Sequence, residues 1–266
     1  MSVRHLAPLA AVAWLAAPAT TLAGAWPQPA GQVQAIEQFT YYQTQTQGFD
    51  AEGRPAGCGS YRQIDVSPYV EYGLTDRLTL GMQPHLQTAW NTTGSGTKTS
   101  AALVEFDLFA RWTLARHAGD VLALQGMTGV PGAASPPSSQ LANRHAQYEA
   151  RLLWGHGFRL GSMSGFTDLE AGYRARMGPD ANEVRLDATV GVRPARRWLL
   201  LAQSFTTLGL RDNRPTGADY TITKLQVSAV YSVSRHVAVQ GGFYSELAGR
   251  NVSPGNAGLV ALWLTF

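Results

Sequence analysis

Glu183-Val184-Arg185-Leu186-Asp187-Ala188-Thr189-Val190-Gly191-Val192-Arg193 changes character at almost every residue. Val184, Leu186, Ala188, Val190 and Val192 fall on one side of an extended chain, and Glu183, Arg185, Asp187, Thr189 and Arg193 on the other. Successive side chains of a strand point to opposite faces, so a period of two marks a strand with one apolar and one polar face. A helix would mix the two sets on every face. Alternation alone fits a soluble sandwich, whose apolar face packs inward, as well as a membrane barrel, whose apolar face meets lipid.

The same rule recurs on both sides of this stretch. Ile64, Val66, Val70, Tyr72 and Leu74 share a face, as do Val104, Phe106, Leu108, Ala110 and Trp112. Ala146, Tyr148, Ala150, Leu152 and Trp154 make a third set, and Leu225, Val227, Ala229, Tyr231 and Val233 a fourth. About twelve such segments are expected, at 32–46, 61–74, 77–90, 100–114, 120–130, 145–155, 166–177, 182–193, 197–207, 219–233, 236–246 and 256–266. Alternation is blurred in the first, fifth and ninth. Short turns (Thr75-Asp76, Ala115–Gly119, Pro194–Arg196, Ser234-Arg235) alternate with longer polar connections (47–60, 91–99, 131–144, 209–218, 247–255). Short turns on one side and long loops on the other is the pattern of a transmembrane antiparallel up-and-down β-barrel. An even strand number puts both termini on the short-turn, periplasmic side.

Aromatic placement separates the barrel from the sandwich. Tyr72, Trp112, Trp154, Trp198, Tyr231 and Phe266 all fall on the apolar face beside short turns or at the chain end. Rings with a polar handle favour the membrane–water boundary, so these six are read as an interface girdle. The polar face carries interspersed acids and bases. Glu105, Asp107, Arg111, Glu149, Arg151, Glu170, Arg174, Arg176, Arg185, Asp187 and Arg193 are the lumen-lining candidates, most of them expected to pair with one another. Facing lipid at the midplane, an arginine would cost about 2–4 kcal/mol. The last segment ends Leu262-Trp263-Leu264-Thr265-Phe266, with Phe266 in phase with Gly258, Val260, Leu262 and Leu264. Such an aromatic-terminated strand resembles the signal read by the outer-membrane barrel assembly machinery, an expected partner alongside membrane lipid and a small-molecule solute.

The 266 residues are 45% hydrophobic, only 15% charged, and include 28 glycines. A net charge of +3 with scattered basic residues does not point to a nucleic-acid partner. Residues 1–25 read as a cleaved secretory leader and 26–266 as one barrel domain. Arg4 and His5 precede an apolar run from Leu6 to Ala17, and Ala23-Gly24-Ala25 fits a cleavage site, with a second after Ala23. The run is shorter than the roughly 20 residues a spanning helix needs. Cys58 is the one cysteine, which leaves neither an intramolecular disulfide nor a multi-cysteine metal site. No metal, cofactor or catalytic residue is expected.

The hairpin Glu71-Tyr72-Gly73-Leu74-Thr75-Asp76-Arg77-Leu78-Thr79-Leu80-Gly81, with the early Trp26-Pro27-Gln28-Pro29, resembles outer-membrane proteins associated with the meta-pathway of phenol degradation. The resemblance implies a bacterial outer-membrane channel or transporter for small solutes, hydrophobic or aromatic compounds among them, and fixes no substrate residue. The alternatives are a lipase- or protease-like barrel enzyme and a closed structural barrel. Hydrolysis needs a nucleophile, a base and an orienting group. His85 and His145 are the histidines placed to serve, and neither stands in a His-x-Ser pair.

Overall fold

The computed structural model describes residues 24–44, 47–50, 53–57, 60–93, 96–136, 141–210 and 220–266. The expected leader, apart from Gly24 and Ala25, and Cys58 lie outside the described residues. Among the described residues fourteen strands form: β1 (Val33–Thr44), β2 (Gln47–Phe49), β3 (Pro55–Gly57), β4 (Ser60–Gly73), β5 (Leu78–Thr93), β6 (Gly96–His117), β7 (Asp120–Ser135), β8 (Gln147–Leu160), β9 (Met163–Arg176), β10 (Glu183–Ala195), β11 (Trp198–Gly209), β12 (Thr221–Ser232), β13 (Val237–Arg250) and β14 (Gly255–Thr265). β2 and β3 pair as a small hairpin within the first long connection. The other twelve form one closed antiparallel barrel in chain order, with β1 pairing β14.

Closure runs along the whole seam, from Gln34 opposite Thr265 to Thr44 opposite Gly255. Phe266 completes it, because its N–H donates to the Val33 carbonyl at 2.9 Å and its carbonyl accepts from Val33 N–H at 3.1 Å. No barrel strand is left with an open edge, as a lipid surround requires.

All twelve expected segments are strands, and the differences lie at their ends. β5 and β6 run on through most of the expected loop 91–99. β7 continues to Ser135, and β8 and β9 extend until only Gly161 and Ser162 separate them. Beyond the bilayer both faces of a hairpin meet water, so the extensions carry no apolar alternation to read.

The outer face is apolar. Leu80, Leu108, Leu152, Leu186, Val227 and Val260, spread around the barrel, are each between 39% and 60% exposed. A belt of this extent in water would be an aggregation surface, whereas in a bilayer it is the solvated face. Tyr72, Trp112, Trp154 and Trp198 point outward at the periplasmic ends of their strands and Phe266 stands at the terminus, all at least 38% exposed. The Trp198 and Tyr231 rings meet at 4.9 Å. Glu37 is one departure from the rule. It faces outward between Pro68 of β4 and Leu262 of β14.

Candidate functional site

The barrel interior has three zones, set by which inward residues each strand supplies. At the periplasmic end the inward positions of β7, β8, β9, β11 and β12 include two apolar clusters. Val121 and Ala123 of β7 and Leu153 of β8 enclose Ala25, which is wholly buried. Phe166 of β9, Leu199 and Leu201 of β11 and Val230 of β12 form a second cluster, with Trp26, Ala238 and Trp263 against it. The chain before β1 therefore enters the lumen. Trp26 meets Phe166 edge to face at 5.7 Å. The Ala25 N–H donates to Asp168 Oδ2 at 2.7 Å. Gln28 is buried, its backbone N–H donating to Thr79 Oγ1 at 3.0 Å and its side-chain amide to Gln34 and to Glu71 Oε2, at 3.1 and 2.8 Å. β8 accommodates this segment through Gly155, where a Cβ would stand 2.5–2.9 Å from three Trp26 ring atoms.

Above this zone, one wall carries the charge. Arg111 Nη2 bonds Glu71 Oε1 at 2.5 Å, and the two side chains are 2% and 0% exposed. Arg151 reaches Glu149 at 2.6 Å, Asp187 at 2.6 Å, and Glu170. Arg174 Nε bonds Glu149 Oε2 at 2.8 Å and lies 3.7 Å from Glu105. Arg185 and Arg176 hold Glu183 at 2.9 and 3.2 Å, and the Tyr220 hydroxyl donates to it at 2.6 Å. These groups alternate with outward apolar residues on β8, β9 and β10; the register sets Arg174 opposite both Glu149 and Glu183, and sets Glu170 opposite Asp187, two acids that Arg151 bridges. The facing wall, β11 to β14, is amide and hydroxyl. Gln226 donates to Gln203 at 2.9 Å, Gln240 to Ser228 at 2.9 Å, and the Trp263 indole to Gln240 at 2.9 Å.

The extracellular zone is a vestibule of about 540 Å³ lined by Tyr42, Tyr61, Tyr244, Gln63 and Glu246, among others. The Tyr42 ring stands 6.2 Å from Tyr61 and 6.3 Å from Tyr244. Its hydroxyl donates to Glu246 Oε2 at 2.8 Å. Lys224 lies between the Phe205 and Tyr244 rings, 4.6 Å from each centroid.

The regular ladder breaks once in the charged zone. Pro84 of β5 pairs with Phe106 of β6, but Leu86 pairs with Leu103, so β6 carries one residue more than β5 across this interval. His85 stands opposite the bulge. Its Nε2 lies 3.3 Å from Asp107 Oδ2, and Glu105 is beside both. On the far side of β6, Asn143 is wedged towards β7, its N–H donating to the Val104 carbonyl and its carbonyl accepting from Gly132. Its side-chain amide donates to Glu105 Oε2 at 3.0 Å.

The eleven charged positions named from the sequence alternate with the outward apolar positions of their strands, and Glu105, Asp107, Arg111, Glu149 and Arg174 are buried. Arg193 also points inward, at the periplasmic end of β10, opposite Ser164. The sequence reading missed the apolar inward cluster and the inserted segment around Trp26. It also missed the meeting of His85 with Glu105 and Asp107, which are some twenty residues away. His145 is exposed at the end of the third long connection, just before β8 and beside Gly178.

The twelve strands close a barrel that is apolar outside and polar inside. It is an outer-membrane β-barrel. No family model and no curated protein matches the chain. Among solved structures, an outer membrane channel from Pseudomonas putida F1 aligns with 92% of this chain and 99% of that one, at TM-score 0.67 and 14% identity. The NanC porin aligns with 86% of this chain and 98% of that one, at 0.55 and 8% identity. The translocator domain of the autotransporter NalP from Neisseria meningitidis covers 90% of each chain, at 0.50 and 12% identity. At these identities the likeness is one of fold.

Proposed function

We propose that this barrel is a passive outer-membrane channel for small solutes, hydrophobic or aromatic compounds among them, of the type associated with phenol degradation, and that it is not an enzyme. The observation that carries the reading is the interior itself, where a paired charged wall faces an amide wall below a tyrosine-lined vestibule. Paired charges keep a fixed arrangement along one wall. The three tyrosines offer ring faces to an aromatic solute, and their hydroxyls offer hydrogen bonds to its substituents. The likeness of fold to a channel and a porin agrees with this reading.

In the same reading, the eleven inward charges named from the sequence line the solute path, the six outward aromatics lie at the periplasmic membrane boundary, and the terminal strand is the substrate of the barrel assembly machinery. The leader ends at Ala23 rather than Ala25, since Gly24 and Ala25 belong to the packed segment and Ala25 is wholly enclosed. The intact mass of protein purified from outer membranes tests this last point. A mature chain beginning at Gly24 is expected, and one beginning at Trp26 would refute it. Reconstitution into planar bilayers tests the function. Discrete conductance steps are expected, and silence across a wide voltage range would remove the channel.

A further inference from the structure

We propose that the lumen contains a binding site for a zinc-class divalent cation, formed by His85 of β5 and Glu105 and Asp107 of β6. One ligand atom from each of the three lies within 4.8 Å of the other two. Ligands 2.0–2.2 Å from a tetrahedral zinc stand about 3.3–3.6 Å apart, and the imidazole Nε2 and Asp107 Oδ2, hydrogen-bonded here, are already at 3.3 Å. The other oxygen of Asp107, Oδ1, is buried without a hydrogen-bond partner among the described residues, and its side chain is 9% exposed. A buried carboxylate oxygen left unpaired is costly, and a cation supplies what the protein does not. His85 is 26% exposed, so the site opens to the lumen rather than being sealed in the wall.

The backbone here is arranged for this cluster. The bulge on β6 brings Glu105 and His85 to the same point, and bulges commonly re-aim side chains beside functional sites. The carboxylates lean over Gly129 of β7, where a Cβ would stand 2.8 Å from Glu105 Oε2 and 3.1 Å from Asp107 Oδ1. Asn143 orients Glu105 by donating to Oε2, an outer contact of the kind that fixes metal-ligating carboxylates. Arg174, 3.7 Å from Glu105 Oε1, shares that carboxylate, so Asp107 and His85 supply the greater part of the affinity. One imidazole with two carboxylates suits zinc, cobalt or nickel better than magnesium or calcium, which favour all-oxygen shells.

The test is a calorimetric zinc titration of tag-free, EDTA-treated barrel folded in detergent, which does not depend on conduction and so stands apart from the channel reading. One equivalent is expected to bind, and His85→Gln and Asp107→Asn are each expected to weaken binding at least about tenfold. Gly129→Ala, which displaces both carboxylates while leaving all three ligands in place, is expected to weaken it too, and decides the matter if a ligand variant fails to fold. Absence of stoichiometric binding to the folded wild type, or binding that these variants retain unchanged, overturns the site.

Discussion

Arg111 and Glu71 form the most enclosed ion pair of the lumen among the described residues, and a mutant cycle on them measures how dry the lumen is beside the inserted segment, whose Gln28 also bonds Glu71. Their contact is 2.5 Å, with side chains 2% and 0% exposed. Breaking a buried pair by removing one partner costs about 3–5 kcal/mol, because the other charge is left uncompensated. In Arg111→Met, Glu71 keeps the Gln28 amide at 2.8 Å and the Tyr69 hydroxyl, so a loss near the lower limit, about 3 kcal/mol, is expected. In Glu71→Gln the guanidinium keeps less. Its Nε has no partner among the described residues, so the loss is expected nearer 4 kcal/mol. The double variant holds two neutral side chains, and the amide that replaces the Glu71 carboxylate retains an acceptor for Gln28. Its total loss is expected to be no larger than that of the worse single variant, a coupling of about 3 kcal/mol. Urea unfolding of barrels in phospholipid vesicles, followed by the heat-dependent gel shift, reads all four stabilities. Additivity within about 0.5 kcal/mol would refute the coupling. A loss under about 1 kcal/mol for Arg111→Met would mean that water reaches the pair as it does at a surface.

Gly155→Ala places a methyl group where the Trp26 ring lies, so the inserted segment should leave the lumen while the barrel stays closed. Tryptophan emission should shift to the red and a protease should clip the N-terminal segment, with the heat-dependent gel shift retained; a protected segment would refute the docking. Phe266→Ala keeps the seam hydrogen bonds, which are made by backbone atoms, so folding into detergent should be unchanged. The yield in the outer membrane of living cells should fall several-fold if the terminal ring is read during assembly, and an unchanged yield would refute that role.

The outward face was legible because lipid imposes one demand on every spanning strand. Val184, Leu186, Ala188, Val190 and Val192 meet hydrocarbon whatever lies beyond the neighbouring strands, so a local pattern suffices. The charged wall was legible for a related reason. A residue such as Arg151, two steps from Glu149 on the same face, has to point inward if its neighbours point to lipid. The His85 cluster depends instead on a bulge that shifts the β5–β6 register by one residue, and no local pattern marks that shift. Its one sequence trace is Pro84, which lacks the N–H a regular ladder would use at that point.

The segments whose alternation was blurred trace most of the footprint of the inserted chain. In β7, Val121-Leu122-Ala123-Leu124 is apolar on both faces, since Leu124 meets lipid and Val121 and Ala123 pack on Ala25. In β11, Leu199-Leu200-Leu201 repeats this, with Leu200 outward and Leu199 and Leu201 in the cluster that holds Trp26. Each run lies at the periplasmic start of its strand, and continuous apolarity there is the mark of a strand buried on both faces. β1 is blurred for the opposite reason, with Ile36 buried inside and Glu37 exposed outside. A barrel with a water-filled interior has no cause to carry Leu199, Leu201 and Phe166 inward. Their presence at one end, together with Gly155 opposite the Trp26 ring, therefore requires a chain segment to cover them, and the segment that meets them is the one around Trp26.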